Sequence, residues 1–315
     1  MKLAVTGATG FIGTHVLRKA VAAGYQVRAL CRENSNRRRV EHLPVEWIVG
    51  DIATTASWDE LLDGADSLVH LAAAGVANLN DAFDAVRTNL PSHLLLFQAA
   101  ARHGVRRLVL AGSCFEYGRT GDRIGLRGLR EDDPLDPMNA YAAAKAAATL
   151  LAGPLTRDLG LECFILRPFH TYGEGELATR LIPAVIHACQ AGQPVRTTDG
   201  RQVRDLVHVG DVAEAFLRAI QADWSQASQE PGTCVINVGT GRGTSIRAAV
   251  ECLARLCGRD PAEVEFGAIP HRPHEMWRLV ADVSAALRVL GWQPTANLES
   301  GLAEVVHDLQ GRSAT

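Results

Sequence analysis

Thr6-Gly7-Ala8-Thr9-Gly10-Phe11-Ile12-Gly13 sets three glycines in a G-x-x-G-x-x-G pattern between an apolar run, Lys2–Thr6, and an amphipathic stretch, Phe11–Ala23. A glycine turn between a strand and a helix is the pattern of a dinucleotide pyrophosphate site. Gly7 permits the tight turn, Gly10 lets the backbone approach the phosphates, and Gly13 lets the helix pack closely. The helix start then presents unpaired N–H groups and its positive dipole end. Thr9, Phe11 and Ile12 complete this expected cofactor loop.

Outward from that turn, Lys2–Thr6, Gln26–Cys31, Val45–Val49, Ser67–Leu71, Arg107–Ala111 and Glu162–Leu166 read as strands. Phe11–Ala23, Ser57–Leu62, Asp81–His103 and Asn139–Leu159 read as helices between them. Several strands are nearly unbroken apolar runs, as in a parallel sheet covered on both faces. The alternation predicts an α/β, doubly wound parallel (Rossmann) sheet with a smaller, discontinuous C-terminal lobe. After Arg167-Pro168 the pattern loosens, although Asp205–Val209 and Cys234–Val238 still read as strands returning to the sheet. The expected division is residues 1–167 plus about 204–240 for the dinucleotide, and about 168–203 and 241–315 for the substrate.

Composition narrows the partners. Net charge is −3, with 5% aromatic residues, which argues against a nucleic-acid surface. No apolar run has the roughly 18 to 20 residues of a membrane span. Seven cysteines at irregular spacings, without a Cys-x-x-Cys, suggest reduced thiols in the cytoplasm and no metal site.

The second strand ends Leu30-Cys31-Arg32-Glu33. An NAD site usually places a carboxylate at that tip for the ribose hydroxyl. Cys31 followed by Arg32 suits the 2′-phosphate of NADP(H) instead, while Glu33 keeps NAD(H) open through a register one or two residues later. Arg37–Arg39 are either further phosphate ligands or a solvated loop. Asp51-Ile52, after the third strand, reads either as an adenine-edge contact or as turn chemistry.

Tyr141-Ala142-Ala143-Ala144-Lys145 puts a phenol and an ammonium on one helical face. The expectation is that Lys145 lowers the Tyr141 pKa toward neutrality, so that the phenol exchanges a proton with a carbonyl or carbinol. Ser113, ending Leu108–Ser113, supplies a hydroxyl for the developing alkoxide.

These residues resemble those of the extended short-chain dehydrogenase/reductases that act on nucleotide sugars, along nearly the whole chain. The resemblance includes His70-Leu71-Ala72-Ala73, where the family's backbone passes the cofactor, and Asn89 in the following helix. It also includes Arg167-Pro168-Phe169-His170-Thr171-Tyr172-Gly173, Arg204–Ala213, and Asp282 with Leu290–Pro294. By resemblance Arg167, Pro168 and His170 lie beside the nicotinamide. Ser113, Cys114, Phe115, Thr171, Arg180, Leu181, Arg204 and Arg272 lie beside a nucleotide-diphosphate sugar (dTDP-, CDP-, GDP- or UDP-linked). His170 and His274 could reach the sugar. The chain departs from the family at Pro273-His274-Glu275, where Pro-Gly-Asp is common. Homodimerisation through Asp81–His103 and Asn139–Leu159 as a four-helix bundle is also implied.

The family runs several reactions on one core set. Sugar 4,6-dehydratases carry Asp-Glu directly after the catalytic Ser/Thr, whereas this chain has Cys114-Phe115, with Glu116 one place late. Two enzymes remain: an NADPH-dependent 4-ketoreductase, which Arg32 favours, and an NAD-dependent 4-epimerase. A non-catalytic dinucleotide sensor is the alternative of another class.

Overall fold

The computed structural model describes residues 1–74, 82–273 and 275–313. Asp81 and His274 lie outside the described residues. Seven strands form one parallel sheet: β1 (Lys2–Thr6), β2 (Gln26–Cys31), β3 (Val45–Val49), β4 (Ser67–His70), β5 (Arg107–Ala111), β6 (Glu162–Pro168) and β7 (Gly232–Val238). Their order is β7-β6-β5-β4-β1-β2-β3. The chain's direction of travel across the sheet reverses between β1 and β4, which opens a crevice at their carboxyl ends.

Strand periodicity sorts the side chains into two cores. In β6, Phe164 and Leu166 face one side, with α1 (Phe11–Ala22) and the later helix Val209–Gln221. Cys163 and Ile165 face the other, against α2 (Thr55–Leu62), α3 (Ala82–His103) and α4 (Ala140–Asp158). Each fully buried Leu or Phe contributes about 1.5–3 kcal/mol.

A third core gathers Tyr172, Ile182, Ile186, Leu253 and Val305. The helices α5 (Leu181–Gln190), α6 (Val209–Gln221), α7 (Ile246–Leu256) and α8 (Leu298–Ser313) complete the main set, and α5, α7 and α8 enclose this cluster. The segment Ser284–Leu290 and Trp292 pack instead on the α1 side of the large sheet.

Cys234–Val238 joins the sheet within β7. Asp205–Val209 does not, which corrects that expectation. β7 pairs with β6 along its whole length, from Gly232↔Glu162 to Val238↔Pro168, and so fills the place beside β6. Leu206–His208 pairs with His170–Tyr172 in a separate two-stranded sheet, and Val209 already begins α6. Among the described residues no helix is long and apolar enough to cross a membrane.

Candidate active site

At the glycine turn the backbone itself is the wall. Gly7 has φ +69°, and a Cβ there would lie 2.6 Å from the Ala72 nitrogen and 2.7 Å from the Leu71 carbonyl carbon. A Cβ on Gly13 would strike the Gly7 carbonyl, which accepts the Gly10 N–H at 3.0 Å. Gly10 caps α1, and neither a capping side chain nor an acidic residue occupies the first turn. A cradle that side chains would fill, ending on an uncapped helix start, fits a dinucleotide pyrophosphate. Thr9, Phe11 and Ile12 are half-buried around it.

The opposite wall is the end of β4. Leu71 N–H donates to the Thr6 carbonyl at 3.1 Å and Ala72 N–H to Thr6 Oγ1 at 3.3 Å. Asn89 is buried, and its amide accepts from Ala74 N–H (2.8 Å) and donates to the Ala74 carbonyl (3.1 Å). It thus fastens the loop carrying Leu71, Ala72 and Ala73, and both ends of its amide are engaged there.

At the β2 tip Cys31 is buried, while Arg32 and Glu33 are exposed. Arg37 lies over the Trp47 ring at 5.6 Å. Arg39 pairs with Glu174, as does Arg18 at 2.7 Å, so Arg39 fastens the loop after Tyr172. Asp51 Oδ1 accepts the Ala53 N–H at 2.8 Å, and the Ile52 carbonyl accepts Trp58 Nε1 at 2.8 Å. Turn chemistry, one of the two readings of Asp51, is what its side chain performs.

The Asn139 side chain accepts the Ala142 N–H at 2.9 Å and starts α4, which sets Tyr141 and Lys145 one turn apart, both buried, beside β5. Ser113 lies close enough to Tyr141 to favour its ionised form, and its hydroxyl oxygen accepts the Phe115 N–H at 3.2 Å. Lys145 Nζ donates to the Ala111 carbonyl at 2.7 Å. Burial draws Lys145 down to about 8, opposed by the Glu116 carboxylate. The expectation for Tyr141 is corrected. Burial pushes its phenol up, and nearby Cys114 and Glu116 add to this; Ser113 and Arg180 pull the other way without reversing it.

Among the residues expected to face the substrate, Cys114 is buried, and Phe115 meets the His170 ring edge-on at 5.5 Å. Arg180 caps α5 and acts electrostatically on Tyr141, His170 and Glu176. Arg204 is buried, paired with Glu275 at 2.8 Å, and acts on His170 and Cys114. Thr171 donates to the Phe169 carbonyl at 3.1 Å, and Leu181 packs on the third core. Arg272 is exposed, so the partner that the 271–275 stretch gives Arg204 is Glu275. Arg167 turns inward, away from the crevice: it reaches Glu116 (2.9 Å), the Tyr117 hydroxyl (2.8 Å) and the Glu131 carbonyl (3.3 Å). Pro168 is buried as the last residue of β6. Among the described residues no group of three or more His, Cys, Asp or Glu side chains could hold a metal ion.

Residues 3–239 match the family described as NAD dependent epimerase/dehydratase. The chain belongs to that family. It is 29% identical to a UDP-glucose 4-epimerase from Azospirillum brasilense, over 96% of this chain and 89% of that one. It is 32% identical to a dTDP-glucose 4,6-dehydratase from Streptomyces griseus, over 96% and 92%. Among solved structures it is similar to the dTDP-glucose 4,6-dehydratase DesIV from Streptomyces venezuelae with NAD bound, at TM-score 0.87 and 28% identity, covering 100% of this chain and 98% of that one.

Within this epimerase/dehydratase frame, the residue that sequence reasoning undervalued is Glu116. It is fully buried; Oε1 accepts the Ser113 N–H at 2.8 Å, and Oε2 accepts the Thr149 hydroxyl and Arg167 Nε, each at 2.9 Å. It is therefore the anchor of Ser113. The signal was available, because Ser113-Cys114-Phe115-Glu116 spells a capping box, and the structure forms one. Asp205 and Asp211 were legible only as family segments. Asp205 collects the Thr240, Gly241 and Ala281 N–H groups, and Asp211 those of Thr295 and Ala296.

Proposed function

We propose that this member of the family is an NADPH-dependent reductase of the C4 ketone of a nucleotide-linked keto-deoxysugar. The observation that carries the reading is the β2 tip, where Cys31 replaces the usual carboxylate and Arg32 stands exposed beside it. A guanidinium there suits a 2′-phosphate through charge-assisted, bidentate hydrogen bonds. Gly7, Gly10, Gly13 and the uncapped start of α1 would hold the pyrophosphate. Leu71–Ala73, Tyr141 and Lys145 would flank the ribose and nicotinamide.

The bound nicotinamide supplies the hydride. Tyr141 donates its phenolic proton to the ketone oxygen, and the upward push of burial on that phenol keeps the proton in place until it is needed. Ser113 steadies the oxygen, with its own backbone held by Glu116. Arg180 and Arg204 supply positive charge for the nucleotide diphosphate. Dehydration is disfavoured, since Cys114 and Phe115 cannot act as acid and base, and Glu116 is committed to Arg167 and Thr149.

A second reading is an NAD-dependent 4-epimerase, favoured by the Azospirillum relative and by the exposed Glu33 one residue past Arg32. A dinucleotide-sensing protein would have no need of the intact Ser113, Tyr141 and Lys145 set. We also read the assembly as a homodimer through α3 and α4, where Val86, Leu94 and Leu150 are exposed.

The test is NADPH consumption with a nucleotide-linked 4-keto-6-deoxysugar. Wild type should consume NADPH, and Tyr141→Phe should lose about 10²–10⁴-fold in turnover while retaining cofactor affinity. Interconversion of UDP-glucose with its C4 epimer, without NADPH consumption, would replace this reading by the second.

A further inference from the structure

We propose that His170 is a substrate-sensing residue that takes up a proton when a diphosphate group settles between Arg180 and Arg204. This rests on the nucleotide-sugar reading above and adds to it a proton that binding must supply.

His170 begins the short strand His170–Tyr172, and its N–H donates to the Asp205 carbonyl at 3.0 Å. That bond fixes the backbone beside Arg204. Its ring lies against Phe115, two residues from Ser113. The Nδ1 atom is buried and has no hydrogen-bond partner among the described residues. A buried nitrogen left without a partner is unfavourable, and a substrate polar group would satisfy it.

The charges around the ring explain its behaviour. Burial holds His170 well below the usual imidazole range, and Arg204 and Arg180 hold it lower still. The nearby acids do not offset this. Asp205 is taken up by Thr240, Gly241 and Ala281, Glu116 by Arg167 and Thr149, and Glu275 by Arg204. Cys114 and Tyr141 are both pushed up by burial and stay neutral. A diphosphate carries two negative charges, so its arrival offsets the two guanidiniums that disfavour imidazolium and raises the ring's affinity for a proton. By linkage, the nucleotide sugar binds more tightly as pH falls through the range between the free and bound values, by up to about tenfold per pH unit.

Two other groups could take up the proton. Glu176 is raised to about 8 by burial, opposed by Arg180, and its Oε2 has no hydrogen-bond partner among the described residues. Lys145 is lowered to about 8.

The experiment is isothermal titration of UDP-glucose and, separately, dTDP-glucose into the cofactor-loaded protein, at several pH values, in buffers of different ionisation enthalpy. These probes carry no phosphate group that titrates near neutrality. Wild type should take up a fraction of a proton per ligand, largest midway between the free and bound values and falling off on either side. His170→Asn should abolish the uptake and flatten the pH dependence, and Glu176→Gln should leave both. Uptake that survives His170→Asn, or disappears only in Glu176→Gln, overturns the inference and moves the proton to Glu176 or Lys145. Binding without any proton uptake overturns it too, while leaving the nucleotide-sugar reading intact. If neither nucleotide sugar binds, the inference falls, and with it the nucleotide-sugar reading for UDP- and dTDP-linked substrates.

Discussion

Two buried charges, on Glu116 and Arg167, meet under Ser113 with side chains 0% and 2% exposed. Removing one partner of such a pair leaves the other uncompensated, at a cost of about 3–5 kcal/mol. Glu116→Gln should therefore lower unfolding stability by that order in urea, and a loss under about 1 kcal/mol would refute the account of Ser113's support. Lys145 carries a second prediction. Its ammonium, drawn down to about 8, loses its proton as pH rises through that value, so turnover that needs the charge should fall on the alkaline side of pH 8. A kcat that stays level to about pH 10 would contradict this. At this scale Tyr141 and Lys145 were singled out by their spacing taken together with the glycine turn, and Ser113 by its place at the end of a strand. The sequence did not reveal that burial outweighs any neighbouring charge at Tyr141, because solvation depends on what folds over a residue.

Among the elements, the turn from β1 into α1 is the most constrained. Gly13→Ala would press a methyl into the Gly7 carbonyl, a backbone atom already holding the Gly10 N–H. We expect about 1–3 kcal/mol of destabilisation and a marked loss of dinucleotide affinity. Unchanged cofactor titration would show that the turn is not the pyrophosphate cradle. β1, β2, β3 and β5 were legible to the residue, since each is an apolar run bounded by turn chemistry. Leu206–His208 was legible as a strand but not by its partner. An apolar triplet says nothing of which edge is free, and β7 had already filled the one beside β6.

For the whole molecule, a clasp between distant parts of the chain is one that the sequence did not announce. Arg18 and Arg39 both reach Glu174, fastening the loop after Tyr172 to α1 and to the segment after β2, and no local pattern pairs residues so far apart in the chain. The exposed apolar face of α3 and α4 makes a different prediction. Leu150, 68% exposed, should be covered in a dimer, so Leu150→Glu should halve the mass seen by light scattering. A wild-type mass equal to one chain would remove the four-helix interface. Net reduction by NADPH is decided by the cofactor itself. The purified protein is denatured, any released dinucleotide identified, and the cofactor-free form titrated with NADPH and NADH. A reductase should retain little dinucleotide and bind NADPH more tightly than NADH, with Arg32→Ala selectively weakening NADPH binding. Stoichiometric, firmly held NAD would contradict net reduction and make this chain a self-recycling epimerase.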